Sequence, residues 1–312
     1  MGRYVSAPAP APSGEQIEIA HGDQRAVVVE VGGGLRTYTA GGRAILDGYG
    51  ETELCVGGRG QPLIPWPNRI RDGRYDWDGR SLQLDISEPE RGNAMHGLTR
   101  WRSWRVAERE RARVVMEQVL YPTPGYPFAL EAQITYELLD DGLVVTTRAR
   151  NIGRDAAPYA VGFHPYLQRA DASLIDDAVL TVPAAVELVT DDRLIPKGRQ
   201  SLTGGARDFA TPRAIGEVVL DTCFTDLTHD GDGRARCVFA EPDGSACSVV
   251  WFDDSYRFVM VYTADTLPPP QRRRGIAIEP MTCAPNAFQS GEGLIRLEPG
   301  DTHEARWGIS AG

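Results

Sequence analysis

The sequence predicts an all-β protein built as a large antiparallel sandwich or barrel. Short runs of strand-forming residues recur along the 312-residue chain, and polar turns separate them. The 34 glycines and 22 prolines mark turns at short intervals, while sustained 3.6-residue periodicity is nearly absent. Many short strands joined by such turns are typical of antiparallel β folds.

Three pairs of strand-like runs flank short polar turns and predict β-hairpins. In chain order, the pairs are 74–77 with 81–84, 130–138 with 143–150, and 236–240 with 247–252. The turns between them contain Asp-Gly or Asp-Asp-Gly. Five further strands are predicted over 24–31, 113–120, 258–263, 276–278 and 304–310.

The chain reads as one domain over residues 15–312, because neither a linker nor a repeat of fixed period divides it. Residues 1–14 alternate alanine and proline and are expected to form a flexible tail. They lack the continuous apolar core of a secretory signal. No stretch approaches the about 18 apolar residues of a membrane span. We therefore expect a cytoplasmic protein.

The charge composition restricts the possible partners and chemistry. The formal net charge is -10, which makes the chain a poor candidate for binding a nucleic-acid backbone. Lys197 is the single lysine and lies in a predicted turn, so lysine-dependent chemistry would have to use it alone. The five cysteines are widely spaced and predict small buried thiols rather than a disulfide framework or zinc site: Cys55, Cys223, Cys237, Cys247 and Cys283.

Several motif-like segments do not fit the motif they suggest. Residues 58–63 contain two glycines but lack the third glycine and the following helix of a dinucleotide-binding loop. Residues 230–233 depart from the calcium-loop pattern and predict a polar turn. The arginines 272–274 follow three prolines and predict a solvated loop that could reach a phosphate.

Four segments place chemically useful side chains where the chain is rigid. Asn68 and Arg69 follow two prolines, His96 precedes a glycine, His164 precedes Pro165 at the end of a strand-like run, and Glu279 follows an apolar run. Structural roles remain open for each, since a lone histidine is more often structural and Arg69 could be an ion-pair partner. Spacing alone does not bring these distant segments together.

The chain resembles the aldose 1-epimerase (mutarotase) family from about residue 17 to its C-terminus. Five short motifs occur in the family's order: Pro67-Asn68-Arg69-Ile70, His96-Gly97-Leu98, Phe163-His164-Pro165-Tyr166, Asp221-Thr222-Cys223-Phe224 and Ile278-Glu279-Pro280-Met281. Residues 281–288 are similar to a bacterial branch of that family.

The resemblance implies a β-supersandwich with an open cleft, no metal and no cofactor. It implies that Glu279 takes the proton from the anomeric O1 hydroxyl, that His164 protonates the ring O5, and that His96 assists at O5. It assigns three further residues to hold sugar hydroxyls or to orient the catalytic groups: Asn68, Arg69 and Asp221. Ring opening of a hemiacetal needs only these proton transfers, and positioned acids and bases contribute about 10²–10⁴-fold to such steps.

Some positions differ from the family pattern, and they leave the preferred sugar open. Phe163 replaces a common asparagine, Pro67 replaces a common alanine, and Met260 stands where some members carry a sugar-contacting glutamine. Trp66 and Tyr166 are candidates for an aromatic face against the sugar.

Other functions remain alternatives at this point. A hexose-6-phosphate 1-epimerase would need a basic pocket, for which the candidates are Arg71, Arg74 and Arg272–Arg274. A non-catalytic sugar-binding or regulatory protein would use the same fold, and a glycoside hydrolase or lyase is a weaker option. The expected partner is a small-molecule sugar, with neither nucleic acid nor membrane, and the expected state is a monomer or weak homodimer.

Overall fold

The computed structural model describes residues 10–312. Residues 1–9 of the expected tail lie outside the described residues. Within the tail, Ser13 is buried, and its carbonyl accepts a hydrogen bond from the Val31 N–H at 2.9 Å. The chain is therefore already anchored to the sandwich at this residue.

Strands account for almost all regular structure of the described chain. The first part contains β1 (Gln16–His21), β2 (Gln24–Val29), β3 (Leu35–Ala40), β4 (Arg43–Ala44), β5 (Pro62–Leu63), β6 (Arg69–Arg71), β7 (Arg74–Trp77), β8 (Arg80–Gln83), β9 (Asn93–Met95), β10 (Arg105–Arg109), β11 (Arg113–Leu120), β12 (Leu130–Leu139) and β13 (Gly142–Asn151). The second part contains β14 (Ala157–Tyr159), β15 (Gly162–Phe163), β16 (Tyr166–Gln168), β17 (Val179–Thr181), β18 (Ala184–Thr190), β19 (Pro196–Ser201), β20 (Arg213–Ala214), β21 (Asp221–Leu227), β22 (Ala235–Ala240), β23 (Cys247–Phe252), β24 (Phe258–Tyr262), β25 (Gly275–Met281), β26 (Ile295–Leu297) and β27 (Thr302–Ala311). A one-turn helix, α1 (Ala287–Ser290), and a 3₁₀ turn, Ile175–Asp177, complete the list.

Two large antiparallel sheets form the sandwich. One has nine strands in the order β10-β11-β12-β13-β27-β23-β22-β17-β20. The other runs β19-β18-β21-β24-β25-β15-β5, and β16 also pairs with β25. Four smaller sheets flank them, of which β6-β9 and β7-β8 lie next to each other along the chain.

The core lies between the two large sheets. Strand β12 alternates buried and half-buried residues, which is the pattern of a strand with one face in the core. Phe163 of β15 contacts Trp307 of β27 with ring centroids 5.0 Å apart, which joins the two sheets. One continuous cluster of buried side chains contains residues of both sheets. The all-β sandwich prediction is confirmed.

The three predicted hairpins are present as β7–β8, β12–β13 and β22–β23. The prediction of a turn at Lys197 is wrong, because this residue lies within β19, an edge strand. All five cysteines are free, and all but Cys247 are buried. No helix of residues 10–312 is long and apolar enough to cross a membrane.

Candidate active site

The face of β25 that looks away from the core carries Glu279. Ile276 and Ile278 belong to the main core, so the alternating residues Ala277 and Glu279 point to the other side of the sheet. Glu279 pairs across to Met260 of β24, which in turn pairs with Cys223 of β21. Glu279 is only 2% exposed, so it is a buried carboxyl and not a solvated surface group.

His164 lies where the strand that neighbours β25 is interrupted. Gly162 of β15 pairs with Met281, and Tyr166 of β16 pairs with Ala277, so the chain pairs with β25 on both sides of His164. Pro165 cannot donate to the ladder, and its carbonyl accepts from the Ile278 N–H. This register places the imidazole directly beside Glu279.

His164 and Glu279 form the closest acid/base pair of the site. Nε2 of His164 lies 3.4 Å from Oε1 of Glu279, and both side chains are buried. Within the described residues, His164 Nδ1 and Glu279 Oε2 are buried and have no hydrogen-bond partner. Unsatisfied buried polar atoms are rare in folded proteins, and a catalytic role is one explanation for them.

A second histidine lies against the first. The rings of His96 and His164 meet edge to face with centroids 5.4 Å apart. Nδ1 of His96 accepts a hydrogen bond from the Asn68 N–H at 3.2 Å, and the His96 N–H donates to the Asn68 carbonyl at 2.9 Å. Both residues have positive φ, a conformation that Asn and His tolerate better than most residues. The neutral His96 ring therefore carries its proton on Nε2.

The glycine after His96 is required by the backbone. Gly97 has φ +71°, and a Cβ there would lie 2.1 Å from the carbonyl oxygen of Ile64. A side chain at this position would therefore collide with the backbone of Ile64, and glycine also adopts the positive φ without strain.

Arg69 is held by a buried carboxylate. Its Nε and Nη2 donate to the two oxygens of Glu88 at 2.9–3.1 Å, and Asn93 donates to Glu88 at 2.8 Å. The alternative that Arg69 is an ion-pair partner is therefore realised, although Arg69 also lines the cleft. The guanidinium hydrogen bonds hold the pKa of Glu88 below its usual value against the opposing effect of burial.

Burial dominates the electrostatics of the catalytic pair. It raises the pKa of Glu279 well above its ordinary value; nearby Asp221 raises it further, while Arg69 and Arg100 oppose the shift. Burial lowers the pKa of His164 to about 3, assisted by Arg100 and Arg59. Because of these shifts, the pair is more stable as a neutral carboxyl beside a neutral imidazole than as a carboxylate beside an imidazolium. The two forms hold the same number of protons and differ only in which residue carries the shared proton.

The other two ionisable groups of the site respond to burial in the same way. Burial lowers the pKa of His96 well below its ordinary value, and Arg100 adds to this. Burial also raises the pKa of Asp221, against the attraction of Arg69 and Arg91. The site thus disfavours charge on its histidines and on its carboxyls unless a partner compensates it.

All six residues that the sequence singled out line one cleft of about 340 Å³: Asn68, Arg69, His96, His164, Asp221 and Glu279. The cleft opens on the eight-stranded side, where β21, β24 and β25 supply Asp221, Met260 and Glu279. Met260, the position that differs from some members of the family, lies directly opposite Glu279. Within residues 10–312, no group of three or more His, Cys, Asp or Glu side chains is arranged to hold a metal ion.

Some sequence-based candidates lie elsewhere. Trp66 was expected to face a sugar, but it packs in the core against Phe288. Tyr166 does line the cleft and stacks on His164. Arg273 was expected in a solvated loop, but it is buried and binds Asp265 at 3.0 Å.

Sequence reasoning missed four charged residues that line the cleft: Glu88, Glu90, Arg91 and Arg100. Glu88 precedes a proline in a polar segment, and nothing in the sequence distinguishes it from a solvated carboxylate. Arg100 follows His96 by four residues, so its nearness to a recognised motif was the available signal. Glu88 reaches Arg69 because its backbone forms a bridge to Asn93 at the start of β9, the strand that pairs with β6.

The fold and the cleft define a β-sandwich protein with a buried acid/base pair on the face of one sheet. A sequence profile of the aldose 1-epimerase family matches residues 15–310. The chain therefore belongs to the aldose 1-epimerase family, and the resemblance inferred from the five motifs is confirmed.

Relatives and solved structures agree with this assignment. The chain is 34% identical over 298 residues to the uncharacterised protein YihR of Escherichia coli K12, covering 95% of this chain and 93% of YihR. The fold is similar to that of the GalM/aldose epimerase homologue from C. elegans, with a TM-score of 0.85, 19% identity, and coverage of 96% of this chain and 98% of the other. It is also similar to a putative aldose 1-epimerase from Escherichia coli K12, with a TM-score of 0.82, 17% identity, and coverage of 96% and 99%. The galactose mutarotase-like fold is thus shown.

Proposed function

We propose that this protein is an isomerase, an aldose 1-epimerase that interconverts the α and β anomers of a free aldose. The observation that carries the proposal is the 3.4 Å approach of His164 Nε2 to Glu279 Oε1 within a cleft that also holds His96 and Asp221. In a cyclic aldose, O1 and O5 are bonded to the same carbon. An acid and a base that serve these two oxygens must therefore be neighbours, as these two side chains are.

Ring opening proceeds by two coupled proton transfers. The Glu279 carboxylate accepts the proton of the O1 hydroxyl, the C1–O5 bond breaks as the carbonyl forms, and the His164 imidazolium gives its proton to O5. Rotation about C1–C2 presents the other face of the aldehyde. Reclosure reverses both transfers, so the pair returns to its starting state and neither protons nor electrons are consumed.

Burial stabilises the protonation states that Glu279 and His164 have after ring opening. After ring opening, Glu279 is a neutral carboxyl and His164 a neutral imidazole, which is the form of the pair that burial favours. This form accompanies the open-chain sugar and also starts reclosure. The cleft thereby supports proton transfer in both directions, as an epimerase requires.

The remaining cleft residues orient the sugar and the pair. Nε2–H of His96 donates near O5 because Nδ1 is occupied by the Asn68 N–H. Arg69 is fixed by Glu88 and, with Asp221, offers charged hydrogen-bonding groups to sugar hydroxyls. Asn68 and Tyr166 complete the wall beside the two histidines.

Hexose-6-phosphate 1-epimerase is the second candidate function. The basic residue that could bind the phosphate is not one of the arginines that the sequence suggested. None of Arg71, Arg74 and Arg272–Arg274 is among the described residues that line the cleft. Arg100 does line it, and within residues 10–312 no carboxylate forms an ion pair with its guanidinium. Its Nε donates to the amide oxygen of Gln61 at 2.8 Å. A guanidinium without an acidic partner favours an anionic group on the substrate.

A sugar panel tests the proposal. Freshly dissolved α-anomers of hexoses and pentoses, and their 6-phosphates where these exist, are followed by polarimetry and saturation-transfer NMR with and without the protein. We expect faster equilibration of at least one free aldose, and Arg100→Met should lower this rate without abolishing it, because Arg100 influences the pKa values of Glu279 and His164. A strong rate preference for a phosphorylated sugar that Arg100→Met abolishes would establish the second candidate instead. Sugar binding with unchanged anomer exchange would point to a non-catalytic protein.

A further inference from the structure

The glycine-containing segment Gly57–Gln61 lacks the pattern of a dinucleotide loop, but it contacts His164 of the acid/base pair. Starting from these contacts, we propose that Arg59 is a positioning residue that holds the imidazole of His164 in its working orientation by acting through Tyr166. The inference deepens the proposed function, because it rests on His164 serving as the acid.

Three planar groups contact one another in series. The guanidinium carbon of Arg59 lies 4.6 Å from the centroid of the Tyr166 ring. Tyr166 also stacks on His164 with centroids 4.9 Å apart and ring planes within 7° of parallel. The tyrosine ring therefore lies parallel to the imidazole plane and is itself covered by the guanidinium.

Arg59 itself is rigidly held. Its Nη2 and Nε donate to one oxygen of Asp47 at 2.9 and 3.3 Å, and its Nη1 donates to the Val56 carbonyl at 3.0 Å. The residue is 4% exposed and is not among the residues that line the cleft. It can therefore affect the reaction through the groups it supports and through its charge, which helps to lower the pKa of His164. Arg59→Lys keeps this charge and so isolates the orienting role.

The same segment fixes the backbone and the edge of His164. The Gly60 N–H donates to the His164 carbonyl at 2.9 Å, and the His164 N–H donates to the Gln61 carbonyl at 3.2 Å. Gly58 has φ +72°, and a Cβ there would lie 3.1 Å from the imidazole Cδ2. Backbone, ring edge and ring face of His164 are thus all supported by neighbouring residues.

Tyr166 is also tied to this segment, since its hydroxyl donates to the Gly57 carbonyl at 3.1 Å. A lysine at position 59 would keep the positive charge beside Asp47. It would lack the planar face that covers the tyrosine ring, so Arg and Lys are not equivalent here. Orientation matters because a misplacement of about 1 Å can lower a rate by about 10²-fold.

The test compares Arg59→Met, Arg59→Lys and Asp47→Asn with the wild type on the aldose that the panel identifies. We expect kcat to fall about tenfold or more in Arg59→Met and Arg59→Lys, with KM within about threefold, because sugar contacts are unchanged. Asp47→Asn removes the charge that holds Arg59 but keeps a hydrogen-bond acceptor, so it serves as a second variant if Arg59→Met does not fold. Its kcat should also fall.

Arg169→Met is the matched control. Arg169 pairs with Glu241 at 2.9 Å with side chains 13% and 10% exposed, close to the 4% and 14% of Arg59 and Asp47. This variant should lose stability in the same way but keep its kcat. A kcat that is unchanged in the Arg59 variants, or that falls equally in Arg169→Met, would overturn the inference.

The NMR spectrum of the His164 ring separates this inference from the proposed function. The ¹⁵N-labelled imidazole, assigned with a His164→Asn sample, should give one tautomer in the wild type and shift towards a tautomer mixture in Arg59→Met. If no aldose is equilibrated by the wild type, the proposed function fails and this spectrum alone decides whether Arg59 orients His164. An identical spectrum in both proteins contradicts the orienting role.

Discussion

Nε2 of His164 lies 3.4 Å from Oε1 of Glu279, and both side chains are almost fully buried. Glu279 lies on β25, and His164 lies in the short gap between β15 and β16, the two strands that pair with β25 on either side of it. At this distance a single proton can serve both groups, and burial decides which of them carries it.

Glu279→Gln should remove most of the turnover. An amide cannot accept the O1 proton as a carboxylate does, and the loss of a positioned base costs about 10²–10⁴-fold. The sugar affinity should stay within a few-fold, since Gln keeps the shape and one acceptor. Polarimetry gives the rate, and saturation-transfer NMR gives the affinity.

The control is Glu241→Gln, because Glu241 is a half-buried carboxylate that does not line the cleft. Wild-type rates in Glu279→Gln would mean that another group is the base.

His164→Asn should lower turnover to a similar extent, because the acid that serves O5 is lost. The asparagine side chain still fits the buried position, so the protein is expected to fold. Normal activity in this variant would move the acid role to His96, whose ring lies against His164. The same polarimetric assay, repeated on His96→Asn, distinguishes the two histidines.

Glu279→Gln should also become more stable relative to the wild type as the pH rises. The carboxyl has a pKa near 4.3 when unfolded, and burial raises the pKa of Glu279 in the folded protein. Above about pH 4 the folded state therefore holds a proton that the unfolded state releases, and wild-type stability falls as the pH approaches the folded pKa. Glutamine has no such dependence. Urea unfolding at pH 4 to 8 measures the difference, and a difference that is constant with pH contradicts the assignment.

His164→Asn should show the opposite trend. The pKa of His164 is lowered to about 3 in the folded protein, against about 6.5 when unfolded. Below about pH 6.5 the unfolded chain takes up a proton that the folded protein refuses, so the wild type loses stability as the pH falls towards 3. Asparagine removes this loss. The stability of His164→Asn relative to the wild type should thus increase on acidification, as followed by unfolding free energies at pH 7, 6 and 5.

Glu88→Gln should destabilise the protein and weaken sugar binding. The change leaves the buried guanidinium of Arg69 without its charge partner, and breaking one partner of a buried pair typically costs about 3–5 kcal/mol. Arg69 should then be less well oriented, so KM should rise more than kcat falls. Denaturant titration measures the free energy of unfolding. Glu90→Gln, whose side chain is 64% exposed, is the control and should change this free energy by less than about 1 kcal/mol. An unchanged stability in Glu88→Gln would show that the pair is not buried in solution.

Much of the fold could be predicted from the sequence because its signals are local. The hairpins β7–β8, β12–β13 and β22–β23 follow from turn residues between strand-forming runs. The site residues were found because Asn68, His96, His164 and Glu279 occur in recognisable motifs. Glu88 and Arg59 could not be found in this way, since their importance depends on contacts with Arg69 and Tyr166 that are distant in sequence.

The sequence by itself determined the strand pattern, the single-domain expectation and the residue types available for acid/base chemistry. The tertiary structure decided which of these residues meet. The sheet register places His164 beside Glu279. The positive φ angles of Asn68 and His96 allow these two residues to form hydrogen bonds with each other. Trp66 and Arg273 are buried by tertiary packing. Local sequence encodes turns and alternation, because these depend on neighbouring residues. The pairing of distant strands, and the burial that shifts the pKa values of Glu279 and His164, exist only when the whole sandwich has formed.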